Sequence, residues 1–258
     1  MPAITVRGIE INYLESGEGL HNAIFLHGNL QSSAMWNDFI AGMPEEFHCR
    51  AFDFRGFGGS PATPHGIFVD SLADDIRYAL HALELERCSL LAFGEGARVA
   101  QSLASRYPSL IYKLILIGGD ALPTDPTVAS ARVEELEGLT WKDENLARIL
   151  KADYGVPRNR KVPEDLLQAA TSADQAAVVA LARSVATGST LDLLPHITAR
   201  TLIIRGENDP IVGAADAAHL QNRIAGAQLA EVPGANRIPA LDDVDAYRDA
   251  ALKLLQAM

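Results

Sequence analysis

Residues able to do chemistry gather at a few turns of this chain. Leu90-Leu91-Ala92-Phe93-Gly94-Glu95-Gly96-Ala97 reads as an apolar strand running straight into a helix. The first turn of such a helix offers unpaired backbone N–H groups and the positive end of a dipole, so it attracts negative charge. Glu95 stands at that turn with a carboxylate able to hold or release a proton. Asp209, in Gly206-Glu207-Asn208-Asp209-Pro210, is a second acid just past an apolar run. Arg237, in Val232-Pro233-Gly234-Ala235-Asn236-Arg237-Ile238-Pro239, is a permanent cation whose planar five-donor fork suits carboxylates. A further turn, His27-Gly28-Asn29-Leu30, sets backbone amides beside an imidazole.

Composition narrows the partners. A formal net charge of -11 over 258 residues argues against nucleic acid and against an anionic membrane surface. Cys49 and Cys88 both lie in apolar runs with neither zinc spacing nor a disulfide framework, so two buried free thiols are expected and no metal or cofactor. The start, Met1-Pro2-Ala3-Ile4-Thr5, lacks the pattern of a signal peptide. No apolar run approaches the roughly 18 residues of a membrane span. A cytoplasmic protein is the expectation.

The elements that must position these residues follow from hydrophobic patterning. Ile4 to Val6 and Ile9 to Leu14 read as a hairpin turning at Arg7-Gly8. Ala23 to Leu26 is a buried strand, followed by a helix capped by Ser32 or Ser33 with Trp36, Phe39 and Ile40 on its apolar face. A strand through Cys49 to Phe54, a helix through Leu72 to Leu85, a strand at Cys88 to Phe93, a helix at Gly94 to Arg106 and a strand at Leu114 to Ile117 continue the alternation. From about Leu122 to Leu194 no strand pattern occurs, and apolar residues recur at helical spacing in segments such as Val128 to Leu136, Glu164 to Ala170 and Ala173 to Val185. Alternation resumes with Thr201 to Arg205, a helix near Ala214 to Ile224, a strand at Gln228 to Val232 and a helix through Val244 to Leu255. The pattern predicts an α/β fold, a mostly parallel sheet flanked by helices. The core would comprise residues 1–121 and 196–258, and residues 122–195 would form a helical lid.

In chain order, His27-Gly28-Asn29-Leu30, Asp53-Phe54-Arg55-Gly56-Phe57-Gly58-Gly59-Ser60, the strand–turn–helix around Gly94, Gly206 to Pro210 and Val232 to Ala235 resemble the signatures of the α/β-hydrolase superfamily. The branch it looks most like holds 3-oxoadipate enol-lactonases, meta-cleavage C–C hydrolases and small esterases. The resemblance spans the whole chain and implies an eight-stranded sheet, a lid, and no cofactor. It also implies a nucleophilic serine at position 94 and a histidine at position 237, and here the chain departs from the pattern. Glycine has no oxygen to attack with, and arginine stays protonated, so Arg237 cannot serve as the base of a Ser-His-Asp triad. Asp209 does match the triad acid.

By the same resemblance the backbone N–H groups of Glu95 and Asn29 form an oxyanion hole, which needs neither serine nor histidine. His27, Gly28, Asn29, Trp36, Gly94, Glu95, Asn236 and Arg237 would line the ligand site, with Asp209, Arg237 and Glu95 as the chemically active groups. Each has an ordinary counterpart reading: His27 as a structural histidine, Trp36 as core, and Arg237 paired with Asp209 to close the site. A carboxylate nucleophile would have to occupy position 94 itself, one residue before Glu95. Arg98 is either solvated or paired beneath the lid, Asp120 has no histidine to serve, and the Arg55 loop reads as structural. Three functions stay open: a protein that binds a small molecule under the lid, a carboxylated one included; a lyase, isomerase or cyclase using the oxyanion hole and Arg237; and an atypical hydrolase. Self-association or a protein partner is left open.

Overall fold

The computed structural model describes residues 1–63, 66–122, 125–156, 160–239 and 243–257. Eight strands form one sheet: β1 (Ala3–Val6), β2 (Ile9–Ser16), β3 (His21–Leu26), β4 (Phe47–Phe52), β5 (Cys88–Phe93), β6 (Ile111–Ile117), β7 (Arg200–Gly206) and β8 (Gln228–Val232). Their spatial order is β1-β2-β4-β3-β5-β6-β7-β8. β2 pairs antiparallel with β1 and β4, and every later pairing is parallel. The central strands are buried on both faces, which is why they read as continuous apolar runs rather than as alternation. All six residues of β5 are buried.

On the core lie α1 (Asn37–Ala41), α2 (Val69–Ala82), α3 (Glu95–Arg106), and, after the insertion, α8 (Ala214–Arg223) and α9 (Val244–Leu255). Between β6 and β7 the chain inserts α4 (Pro126–Gly138), α5 (Asp143–Tyr154), α6 (Glu164–Ser172) and α7 (Gln175–Thr187). α4 packs on α7 and α5 on α6. Asp174 caps α7 by accepting the Ala177 N–H at 2.8 Å, satisfying one of the donors a helix start leaves open.

Several elements differ from the pattern-based expectation. The strand expected over Cys49 to Phe54 runs instead from Phe47 to Phe52. Asp53 lies just past the strand, its N–H still donating to Asn12 O of β2 at 2.9 Å while its carboxylate accepts the N–H groups of Ser33 and Gly59. The helix expected after His27 is a 3₁₀ turn over Ser33–Trp36, capped by Ser32, followed by the short α1. α2 starts at Val69 rather than Leu72, its preceding Phe68 N–H donating to Ser71 Oγ at 3.2 Å. α5 was not among the helices the periodicity suggested. Among the described residues no helix is long and apolar enough to cross a membrane.

Candidate functional site

Gly94 sits between β5 and α3 with φ 55° and ψ -125°, a backbone state that costs a residue with a Cβ about 1–3 kcal/mol. Its N–H donates to Ile117 O at 3.0 Å, tying the turn to β6. Gly96 lets α3 start hard against the sheet, since a Cβ there would lie 2.3 Å from His27 O. Gly28 faces the same turn, where a Cβ would lie 3.0 Å from Phe93 Cδ1 and 3.1 Å from Glu95 Oε2. Small residues therefore bring two chain turns and a helix start to one point.

Arg237 covers that point. It is 7% exposed, and its Nη2 lies 3.5 Å from where a Cβ at Gly94 would stand. Its guanidinium carbon is 5.8 Å from the centre of the Phe93 ring. The nearest approach to Asp209 is 4.0 Å, Nη1 to Oδ1, which is an ion pair without a hydrogen bond. Asp209 Oδ1 accepts the N–H groups of Ile211 at 2.8 Å and Val212 at 2.9 Å. Among the described residues, Asp209 Oδ2 and Arg237 Nε are buried without a hydrogen-bond partner. Burial pushes the Asp209 carboxyl up, with Arg237 and the two amides opposing. Burial alone would lower the Arg237 pKa, but Asp209, Glu95 and Asp153 outweigh it and hold the guanidinium protonated.

The Asn29 amide, one of the two expected oxyanion donors, is already engaged. Its N–H donates to Glu95 Oε2 at 2.9 Å. The Asn29 side chain donates to Val178 O at 3.1 Å and accepts the Leu30 N–H at 3.1 Å, linking this loop to α7. The end of α5 closes over it. Tyr154 Oη donates to Asn29 O at 3.4 Å and accepts from Gln31 Nε2 at 2.9 Å. A Cβ at Gly155 would lie 2.8 Å from Asn236 Oδ1, so the cap of α5 rests on the Arg237 loop. Asp153 pairs with Arg132 of α4. Burial pushes the Asp153 carboxyl up to about 6; Arg132 and Arg237 pull it back, while Glu95 and Glu135 push it further.

The structure thus brings Gly28, Asn29, Gly94, Glu95, Asp209, Asn236 and Arg237 together. It does not bring His27 or Trp36 to them as ligand-facing groups. His27 is fully buried, with Nδ1–H donating to Gly28 O at 2.7 Å and Nε2 accepting the Phe54 N–H at 3.0 Å. Burial lowers its pKa and keeps the ring neutral. Trp36 is fully buried against Phe25 and Phe39 as a core residue. Arg98 is not solvated: it is buried, bonding Asp120 at 2.7 Å and the carbonyls of Val185 and Gly188. Arg55 pairs with buried Asp75 at 2.6 Å. Sequence reasoning missed Asp153 and Tyr154 because it passed over α5. The available signals were acids in the first turn, Leu146, Ile149 and Leu150 at helical spacing, and Gly155 as a left-handed cap.

A mostly parallel sheet, a strand–glycine–helix elbow after β5, an acid after β7 and a helical insertion between β6 and β7 define the α/β-hydrolase class. The model of the alpha/beta hydrolase fold family matches residues 24–244, and the chain belongs to that family. It is 28% identical over 237 residues to serine hydrolase BPHL of Mus musculus, covering 89% of this chain and 77% of that protein. To the 2-(acetamidomethylene)succinate hydrolase of Mesorhizobium japonicum it is 25% identical over 247 residues, 90% of this chain and 87% of that one. The solved enol-lactonase of Burkholderia xenovorans LB400 superposes with a TM-score of 0.89 at 23% identity, covering 99% of this chain and 100% of that chain, a likeness of fold.

Proposed function

We propose that this α/β-hydrolase-fold protein does not hydrolyse by the Ser-His-Asp route and binds a small carboxylate in the polar site beneath its helical insertion. The observation that carries this reading is Glu95. Its carboxylate sits on the Asn29 N–H, within the field of the buried Arg237. The site is thus built to hold a carboxylate and holds the chain's own. Two further facts support it. Gly94 offers no nucleophile, and a guanidinium held protonated cannot take a proton from one.

A second reading, hydrolysis by unorthodox residues, is favoured by the hydrolase relatives and by Asp209 standing at the position of the triad acid. One experiment separates them. Wild-type protein is incubated with activated esters, enol-lactones and C–C hydrolase substrates, beside the Gly94→Ser/Arg237→His double variant, and propionate binding is followed by calorimetry. A silent wild type that binds propionate, with affinity reduced at least tenfold in Arg237→Met, is the expected result. Turnover by the wild type would overturn the binding reading and make Glu95 the next residue to replace.

A further inference from the structure

Asn29 is held at each of its polar groups. Its carbonyl accepts from Tyr154 Oη, its Oδ1 accepts the Leu30 N–H, and its Nδ2 donates to Val178 O. Its backbone N–H is the one group engaged by a charged side chain, donating to Glu95 Oε2 at 2.9 Å. Asn29 is buried, and a buried N–H left without an acceptor is destabilising. Gly28 makes room for the arrangement, since a Cβ there would lie 3.1 Å from the same Glu95 oxygen. Glu95 itself is half-buried, so its side chain has a way out to solvent.

We propose that Glu95 is an intramolecular competitor of the ligand: its carboxylate occupies the Asn29 N–H in the empty protein, and an entering carboxylate must displace it. The inference rests on the carboxylate-binding reading above. It adds that Glu95 opposes the affinity that Arg237 supplies.

One N–H offers one hydrogen, so two carboxylates cannot both hold it at full strength. At this donor the exchange is like for like. A carboxylate accepts the N–H before binding and another accepts it afterwards, and the buried donor is satisfied in both states. The displaced Glu95 keeps its place in the first turn of α3, where the helix dipole favours a negative charge in either rotamer. Water solvates the freed carboxylate from the half-exposed side. Release of Glu95 therefore costs the Asn29 bond and little else.

The effect on affinity follows from populations. A ligand that binds only when Glu95 is away has its affinity reduced by the fraction of molecules in which the N–H is open. A charge-assisted hydrogen bond is enough to leave that fraction at about a tenth, so the apparent Kd lies about tenfold above that of the open site. Side-chain length separates this competition from plain repulsion between Glu95 and an anion. Aspartate at position 95 keeps the negative charge at the head of α3 but is one methylene short, and the 2.9 Å contact opens beyond hydrogen-bond reach.

Calorimetry with sodium propionate on the wild-type protein, Glu95→Ala and Glu95→Asp tests this, with the Asn29 amide proton followed by NMR. The expected result is a Kd lowered at least about tenfold in Glu95→Ala and at least about threefold in Glu95→Asp. In ligand-free Glu95→Ala the Asn29 amide proton should move upfield, and saturating propionate should return it downfield, because a carboxylate acceptor deshields the proton. A Kd unchanged or raised in Glu95→Ala overturns the proposal and leaves the carboxylate-binding reading intact. So does a tightening in Glu95→Ala that Glu95→Asp does not share, since loss of charge explains it, and so does an Asn29 amide proton that stays in place in ligand-free Glu95→Ala. Binding by both variants but not by the wild type upholds the proposal, with the docked form of Glu95 dominant. No propionate binding by any of the three proteins overturns both.

Discussion

Asp53 and Asp209 both follow strands at the same edge of the sheet, and the chain treats them in opposite ways. Asp53 is completely used: Oδ1 accepts the Ser33 N–H at 2.6 Å, Oδ2 accepts the Gly59 N–H at 2.9 Å, and its carbonyl takes the Ser60 hydroxyl. His27 beside it has both ring nitrogens engaged. Among the described residues, Asp209 has one oxygen engaged twice and the other not at all, and its neighbour Arg237 has a buried Nε without a partner. Buried polar groups are as a rule satisfied internally, and each one left over calls for an explanation. The first region holds loops in place, and the second is where the proposed carboxylate would bind.

Isosteric substitution breaks or sharpens this contrast. Asp53→Asn should have the largest effect, about 3 kcal/mol of lost stability in urea titration, because the amide turns one of two acceptors into a donor facing an N–H. Gly94→Ala should come next, at about 2 kcal/mol, because alanine cannot take the backbone state at φ 55° without strain. Asp209→Asn should change stability by less than about 1 kcal/mol. Its amide oxygen can keep the Ile211 and Val212 bonds, and its NH₂ falls where Oδ2 has no partner. A cost for Asp209→Asn as large as that for Asp53→Asn would erase the distinction between the two regions.

The sheet was the most legible part of the sequence. β5, β8 and α9 fall where the apolar patterning places them: β5 is a short run buried on both faces between turn residues, β8 a short strand at the sheet's end, and α9 a helix with one buried stripe. The site was legible as a set of loops: the residues around 28, 94, 209 and 237 were read as neighbours through family resemblance, and they are. Two things were not legible. The rotamer that folds Glu95 back onto the Asn29 N–H depends on space left by Gly28, which no periodicity records. α5 is an amphipathic helix in a stretch with no strands to frame it, so its Asp153 and Tyr154 reached the site unannounced.

Arg98 ties the helical insertion to the core. Its guanidinium, rooted in α3 of the core, donates to the carbonyls of Val185 and Gly188, 87 and 90 residues later, and to Asp120. The end of α7 is thus closed by a side chain from the core as well as by its own Gly188 N–H, which donates to Ser184 O at 2.9 Å. A peptide comprising the insertion alone lacks that donor and frays at this end. The β6–β7 pairing of Lys113 with Arg200 spans the same 87 residues as the bond from Arg98 to Val185, so the sheet and the end of the insertion close the same long loop.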